Sequence, residues 1–338
     1  MASLLDSWKV GTLELKNRIV VSPMCQYMAE ESGSPTDWHQ VHYGSLALGG
    51  AGLLMVEASA VEGRGRISTR DLGLYADEHT EKLARITKFA HEYGTKIGIQ
   101  LAHAGRKADV PGEIVAPSAQ AFSDRYASPR ALAGSDLQDI VQAFVRSARR
   151  AIQAGFDFLE IHAAHGYLLH QFLSPLSNHR TDEYGGSLVN RMRLTREIIA
   201  AVRAEAGATP VGIRISATEY DPGGYDVHEA ASFAAEFARD GVDVIDVSSG
   251  GNVPVAPAVY PGYQVPLAQV VRAAAGVPVI AVGMLDDAHL AEHVVQSGQA
   301  DAVAVARGFL RNPHWGHQAI RELGGTPQPP GSYARAYA

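Results

Sequence analysis

The chain has 338 residues, 46% of them apolar, with one cysteine and a formal net charge of −7. The apolar share suffices for a large core, and an acidic balance without a basic run excludes nucleic acid or an anionic membrane as the main partner. A lone Cys25 excludes an intrachain disulfide, a thiolate zinc site and an iron–sulfur cluster. The start, MASLLDSWKVGTLEL, has no signal-peptide pattern, and no apolar run approaches the roughly 18 residues of a membrane helix. A soluble, cytoplasmic protein without membrane contact is expected.

Taken in order, residues 1–17 read as a hairpin or cap in which Leu13 and Leu15 alternate with polar neighbours. A first buried strand spans Arg18–Met24, and a helix over Asp37–Leu48 stops at Gly49-Gly50. Leu53–Val61 is a second strand, followed by a helix over Asp77–Tyr93 with Gly94 as its C-cap. Lys96–His103 is the third strand. A long loop, Ala104–Gly134, leads to a helix capped by Ser135 or Asp136 that runs to Ala154. Phe156–Ala163, apolar and bounded by glycines, is the fourth strand, and after the loop HRTDEYGGS a helix covers Asn190–Glu205. Four further strands are expected at Val211–Ala217, Val242–Ser249, Pro278–Gly283 and Ala302–Arg307. Their helices fall at Val227–Asp240, Gln264–Ala275, Asp286–Ser297 and Pro313–Leu323. Eight strand–helix alternations define a parallel sheet, and eight is the number that closes a (β/α)8 TIM barrel. One domain spans 1–338, with 1–17 as its cap and 324–338 as a Pro/Gly-rich tail expected to run extended over a surface.

Catalytic groups of such a barrel gather at the C-terminal strand ends. Those ends supply Ser22, Pro23, Met24 and Cys25 with Tyr27 close behind, then Ala58, Gln100 and His103, with Arg106 and Lys107 following. The fourth strand ends in His162, His165 and Tyr167. Two imidazoles three residues apart can present ring N–H groups to one oxygen while a nearby phenol gives up a proton, which is how a site polarises a carbonyl. Arg214, Ser248-Ser249-Gly250, Gly283 and Ala306-Arg307-Gly308 complete the set. The loops after strands seven and eight commonly hold phosphate, and Gly283-Met284 with Arg307-Gly308 fit that use. Small Ala58 leaves room for a flat ring, so a phosphorylated planar cofactor suits the face better than a sugar phosphate.

The stretches SPMCQY, MVEASAV, QLAHAGRKA and EIHAAHGYLLHQFLSPLSNHRTDEYGGS, with AVGM and AR near the end, resemble the Old Yellow Enzyme family of FMN-dependent ene reductases. Cys25 after SPM, Tyr27 two residues on, and His165 where many relatives carry Asn resemble its thermophilic-like branch. The resemblance covers nearly the whole chain. It implies NAD(P)H-dependent, FMN-mediated reduction of the activated C=C bond of enals, enones, maleimides and nitro compounds. FMN would contact Ser22, Pro23, Met24, Cys25, Ala58, Gln100, Arg214, Gly283, Ala306 and Arg307, with Ala306 standing where relatives often have Gly. His162 and His165 would hold the substrate carbonyl, Tyr27 would assist, and Tyr167 would donate the proton. Arg214, with Lys107, would stabilise the anionic reduced flavin, and Cys25 would touch its edge and tune its potential. A homodimer or homotetramer is implied, with Arg335 of the tail reaching the neighbouring subunit's site.

Blander readings accompany each of these. His162 and His165 could be core histidines or half of a metal site, although no further ligand is placed to complete one and no metal is expected. Cys25 could be an inert small hydrophobe. Arg214 could pair with Glu160 or Asp246, and Arg307 could cap a helix. A cofactor-free aldolase or isomerase barrel would need a Schiff-base lysine or a catalytic Glu at a strand end, and Lys107 is the only lysine near one.

Overall fold

A computed structural model describes residues 2–337. Eight strands form a closed barrel: β1 (Ile19–Val21), β2 (Leu53–Ala60), β3 (Lys96–Ala102), β4 (Phe158–Ala163), β5 (Val211–Ser216), β6 (Val244–Ser248), β7 (Val279–Val282) and β8 (Ala302–Val305). Each pairs in parallel with its sequence neighbours, and β8 closes on β1 through Val303 to Val305 against Ile19 to Val21. Because every strand is covered on both faces, the runs are apolar with few interruptions, as in VGIRIS and VIDVS. The outward-facing residues, such as Leu159, Ile161, Ile213 and Val247, pack beneath the surrounding helices.

The inward positions are stratified. At the N-terminal end Val20, Leu53, Met55, Phe158, Val244 and Ile280 form an apolar layer. The hairpin of Trp8–Val10 and Leu13–Leu15 plugs it from below, with Trp8, Val10, Leu13 and Leu15 all in that cluster. Phe158 fills the axis so closely that a Cβ on Gly212 would lie 2.4 Å from its ring, which is why β5 begins Val-Gly. Two residues further along the same strands stand Glu160, Arg214 and Asp246, and two beyond those His162, Ser216 and Ser248. A period of two therefore lifts the chain from oil to charge to site.

Several boundaries differ from the sequence expectation. The first strand stops at Val21; the following Ser22 still donates its N–H to Val305 O at 3.0 Å, and the chain then leaves the ladder. A short helix, Leu168–Leu173, occupies part of the stretch after β4, with all six residues buried. The helix read as beginning at Asn190 starts at Leu188, because Ser187 Oγ accepts the Asn190 N–H at 3.3 Å. The long loop contains a small parallel bridge, Val115–Ala116 with Arg130–Ala131. The helix after it begins at Gly134, and Asp136 reaches back to the Ala133 N–H at 2.7 Å instead of standing at the cap. The tail is not fully extended: Gly331–Ala336 coils into a 3-10 turn. Tyr333 and Tyr337 set their rings edge-on to His314 and His317, at 5.7 and 5.2 Å, which draws the segment back onto the last helix.

Candidate active site

The turn after β4 is the most constrained piece of backbone at the barrel mouth. His165 has φ 58° and Gly166 φ 73°, so a non-glycine residue sits in the left-handed region, a conformation that costs on the order of 1–3 kcal/mol. Its surroundings hold it there. The His165 N–H donates to Ser216 Oγ at 2.9 Å, and its carbonyl accepts from Lys107 Nζ at 2.8 Å. The Gly166 N–H donates to His170 Nδ1 at 2.9 Å, and the Gly166 carbonyl accepts from Gln171 Nε2 at 2.7 Å. Lys107 also donates to Gly251 O at 3.0 Å and lies over the rings of Phe122 and Tyr167. An ammonium so engaged is a clamp on the turn and is poorly placed to form a Schiff base. Burial, then Arg106, brings it down to about 8.

The turn brings His162, His165 and Tyr167 together. Their ring centroids lie 5.1 Å apart for the two imidazoles and 5.0 Å for His162 and Tyr167, both edge-to-face. His162 Nδ1 accepts the Ala164 N–H at 3.2 Å, which leaves its proton on Nε2. That Nε2 lies 3.3 Å from His165 Nδ1, and His165 Nε2 lies 2.7 Å from Ser248 Oγ. The imidazoles thus form a relay with one another and Ser248, rather than both facing one open point. Burial, followed by the charge of Arg214, holds both well below the usual imidazole range, so each is a neutral donor at pH 7. Burial also pushes the Tyr167 phenol well above its ordinary value, with Cys25 and Tyr27 adding to it.

Across the mouth, Cys25 and Tyr27 lie on the segment leaving β1. Tyr27 is 48% exposed, has φ 55°, and is pushed up to about 12, chiefly by burial of its inner part. Cys25 is half-buried, and burial together with Glu57 keeps its thiol protonated. Sequence reading missed Glu57. It is the extra residue of a β-bulge in β2, where Val56 faces Ile99 and Ala58 faces the very next residue, Gln100. The bulge swings Glu57 out of the barrel and turns Ala58 in. There the Glu57 carboxylate accepts the Gln26 N–H and the Tyr43 hydroxyl, each at 2.8 Å, and so anchors the Cys25–Tyr27 segment from behind. Burial raises its carboxyl to about 7.

The residues fit FMN. Gln100 Nε2 is buried without a partner, and Arg214 is 5% exposed with Nη1 only 3.3 Å from Ser22 Oγ. Donors left open at the floor of the mouth suit the acceptor edge of a flavin ring. Ala58 presents no bulk there. Beside them, Gly283, Met284, Ala306, Arg307 and Gly308 border a cavity of about 170 Å³ that also touches Arg214 and Ser248. Gly283 has φ 128° and Met284 φ 52°, two successive residues in the left-handed region. A Cβ at Gly283 would meet Tyr263 at 3.1 Å. Pro23 and Met24 continue the rim from Ser22. Arg335 lies apart on the exposed tail turn of its own chain.

A closed eight-stranded barrel whose mouth holds open donors, a small glycine-bordered cavity and an imidazole pair fits a flavin-dependent oxidoreductase. Comparison with known proteins agrees: residues 3–324 match the model of the NADH:flavin oxidoreductase / NADH oxidase family. The chain belongs to that family, and within it to the Old Yellow Enzyme proteins, which use FMN and a nicotinamide hydride donor. It is 48% identical to the NADPH dehydrogenase of Geobacillus sp. (strain WCH70), over 99% of this chain and 98% of the relative. Among solved structures, morphinone reductase in complex with tetrahydroNAD superposes with TM-score 0.82 at 29% identity, covering 98% of this chain and 93% of that one. A 2-naphthoyl-CoA reductase complex superposes at 0.90, but at 24% identity, and this chain spans 52% of its length; that likeness concerns the fold. Among the described residues no helix is long and apolar enough to cross a membrane.

Proposed function

We propose that the protein reduces the activated C=C bond of α,β-unsaturated carbonyl compounds, among them enals, enones and maleimides, and by extension nitro compounds. The observation that carries this reading is the pair of neutral imidazoles, one 3.3 Å from the other, beside a half-buried phenol at the barrel mouth. When bound, FMN would supply hydride transfer from reduced nicotinamide to the β-carbon. Ser22, Pro23, Met24, Cys25, Ala58, Gln100, Arg214, Gly283, Ala306 and Arg307 would hold it.

The chain's own residues do the rest. As hydride arrives, negative charge builds on the carbonyl oxygen, so donors aimed there stabilise the transition state more than the bound substrate. His162 offers its Nε2–H; a carbonyl oxygen between the rings would take over the proton now directed at His165. His165 would then turn a donor toward the same oxygen, with Ser248 steadying its far nitrogen. Neutral imidazoles suit this task, since an imidazolium would hand over its proton and trap the enol. Tyr167, kept protonated by burial, donates to the α-carbon. Half-exposed Tyr27 contributes a further hydroxyl at the rim, while Cys25 as a thiol borders the ring and does not attack. In an oligomer Arg335 would reach the neighbouring subunit's mouth.

The test is a substrate panel run with NADPH and NADH, followed at the flavin absorption bands and by product analysis. Saturated carbonyl products from enones and maleimides are expected. Consumption of reduced nicotinamide by dioxygen alone, with every unsaturated carbonyl recovered intact, would refute the reading.

A further inference from the structure

Beneath the site the barrel holds a charged layer that the proposed chemistry does not use. Glu160 and Asp246 are 3% and 5% exposed, face the barrel axis from β4 and β6, and line one small cavity together. Arg214 stands between their strands on β5, in register with Asp246, its Nε 3.3 Å from Asp246 Oδ2 but not aligned to donate to it. Gln100 stands opposite Glu160 on β3. These groups and Ser22, which meets Arg214 Nη1 at 3.3 Å, are the polar neighbours of the pair. Glu160 Oε2 and Asp246 Oδ1 are buried and accept no hydrogen bond from any N–H or O–H donor. Below them a cavity of about 10 Å³, walled by Val20, Met55, Phe158 and Ile280, holds at most about one water.

We propose that Glu160 and Asp246 share a single proton beneath Arg214, making them positioning residues that fix the charge under the FMN ring and hence its reduction potential. This rests on the FMN site proposed above. Two carboxylates and one guanidinium sealed from water would carry a net negative charge if both acids ionised, and two like charges on one buried cavity resist that strongly. One proton on Glu160, donated in a hydrogen bond to Asp246, leaves Asp246 as the counter-ion of Arg214 and the layer neutral. Burial, with the Asp246 charge adding, accordingly raises Glu160 to about 8, and Arg214 opposes it. Asp246 carboxylate moderates the positive field that Arg214 presents upward. The apolar plug closes the lower route, so the proton exchanges only through the mouth.

Infrared titration of the holoenzyme and its apoprotein, together with FMN midpoint potentials, tests this. A buried protonated-carboxyl band is expected at pH 7, fading as pH rises past about 8, and missing from Glu160→Gln; Glu57→Gln identifies the separate contribution of Glu57. Glu160→Gln should leave the potential at pH 7 nearly unchanged, because a neutral donor replaces a neutral donor. Asp246→Asn should raise it, favouring reduced over oxidised FMN by at least tenfold at a fixed ambient potential, which is about 30 mV for a two-electron couple. The proposal is overturned if no band is lost in Glu160→Gln, or if Glu160→Gln raises the potential as much as Asp246→Asn does. Should either variant fail to fold, the band and its titration in the parent protein still decide. Because the apoprotein band does not involve FMN, failure of the cofactor reading and failure of the shared proton are separable.

Discussion

The two ends of the barrel are made by the same strands two or four residues apart, and they are built on opposite principles. The lower end is apolar, plugged by the Trp8–Leu15 hairpin and filled by Phe158. The mouth is polar and strained, with Tyr27, His165 and Met284 all in the left-handed region and donors left unpaired. Packing at one end supplies the rigidity that over-determined hydrogen bonds spend at the other. Stability and chemistry are thereby separated along one axis, and substitutions at the two ends should fail in different ways.

The largest expected effect tests the chemical end. Tyr167→Phe should slow reoxidation by an enone by roughly 10²–10⁴-fold, the range for loss of a general acid. Flavin reduction by nicotinamide and thermal stability should stay close to those of the parent. Stopped-flow traces of the two half-reactions check it, and equal slowing of both would show that the phenol does not serve as proton donor. At the opposite end, Phe158→Ala should cost about 3–5 kcal/mol in urea unfolding. The folded fraction should keep its turnover number. A variant that stays stable but loses activity would break the division of labour between the ends.

A smaller effect follows from the neutral imidazoles. Burial lowers the pKa of His162 and His165 in the folded protein well below 6.5, whereas in the unfolded chain they bind protons below about 6.5. The native state binds fewer protons there, so stability present above pH 6.5 is lost as pH falls. The double variant His162→Asn/His165→Asn should therefore lose less stability than the parent between about pH 7 and pH 5. Melting curves at both pH values measure the difference, and parallel losses would contradict the buried neutral state. The smallest effect concerns the tail, which belongs to neither end of its own barrel. Truncation before Ser332 should raise the substrate KM by about fivefold, the scale of roughly 1 kcal/mol for one exposed charged contact. Unaltered kinetics would confine Arg335 to its own surface.

Much of this was readable beforehand because barrel strands announce themselves. VGIRIS and VIDVS are apolar runs broken at one inward position by Arg214 or Asp246, and His162 and Tyr167 follow directly from where β4 must end. Arg214 had two candidate partners in sequence; the register of β5 with β6 places Asp246 beside it, with Nε 3.3 Å from Asp246 Oδ2. Other features needed three dimensions. Nothing in LLMVEASAV marks Glu57 as the bulged residue, because a bulge depends on pairing with β3. Ser248 stands among the strand ends read from the sequence, and Ser216 could have been found by counting two residues on from Arg214. The imidazole relay could not, since it depends on the left-handed backbone of His165. The coiling of the tail depends on His314 and His317 being within reach of its tyrosines, a contact that no local pattern encodes.

The most direct measurement is anaerobic reoxidation of the reduced, FMN-loaded protein by an enone, in the parent and in His162→Ala/His165→Ala. The variant should retain FMN and its reduction by nicotinamide while reoxidation slows by at least about 10²-fold, the scale for losing one such oxyanion donor. Reoxidation at the parental rate, with FMN still bound, would contradict the assignment of the imidazole pair to the carbonyl oxygen.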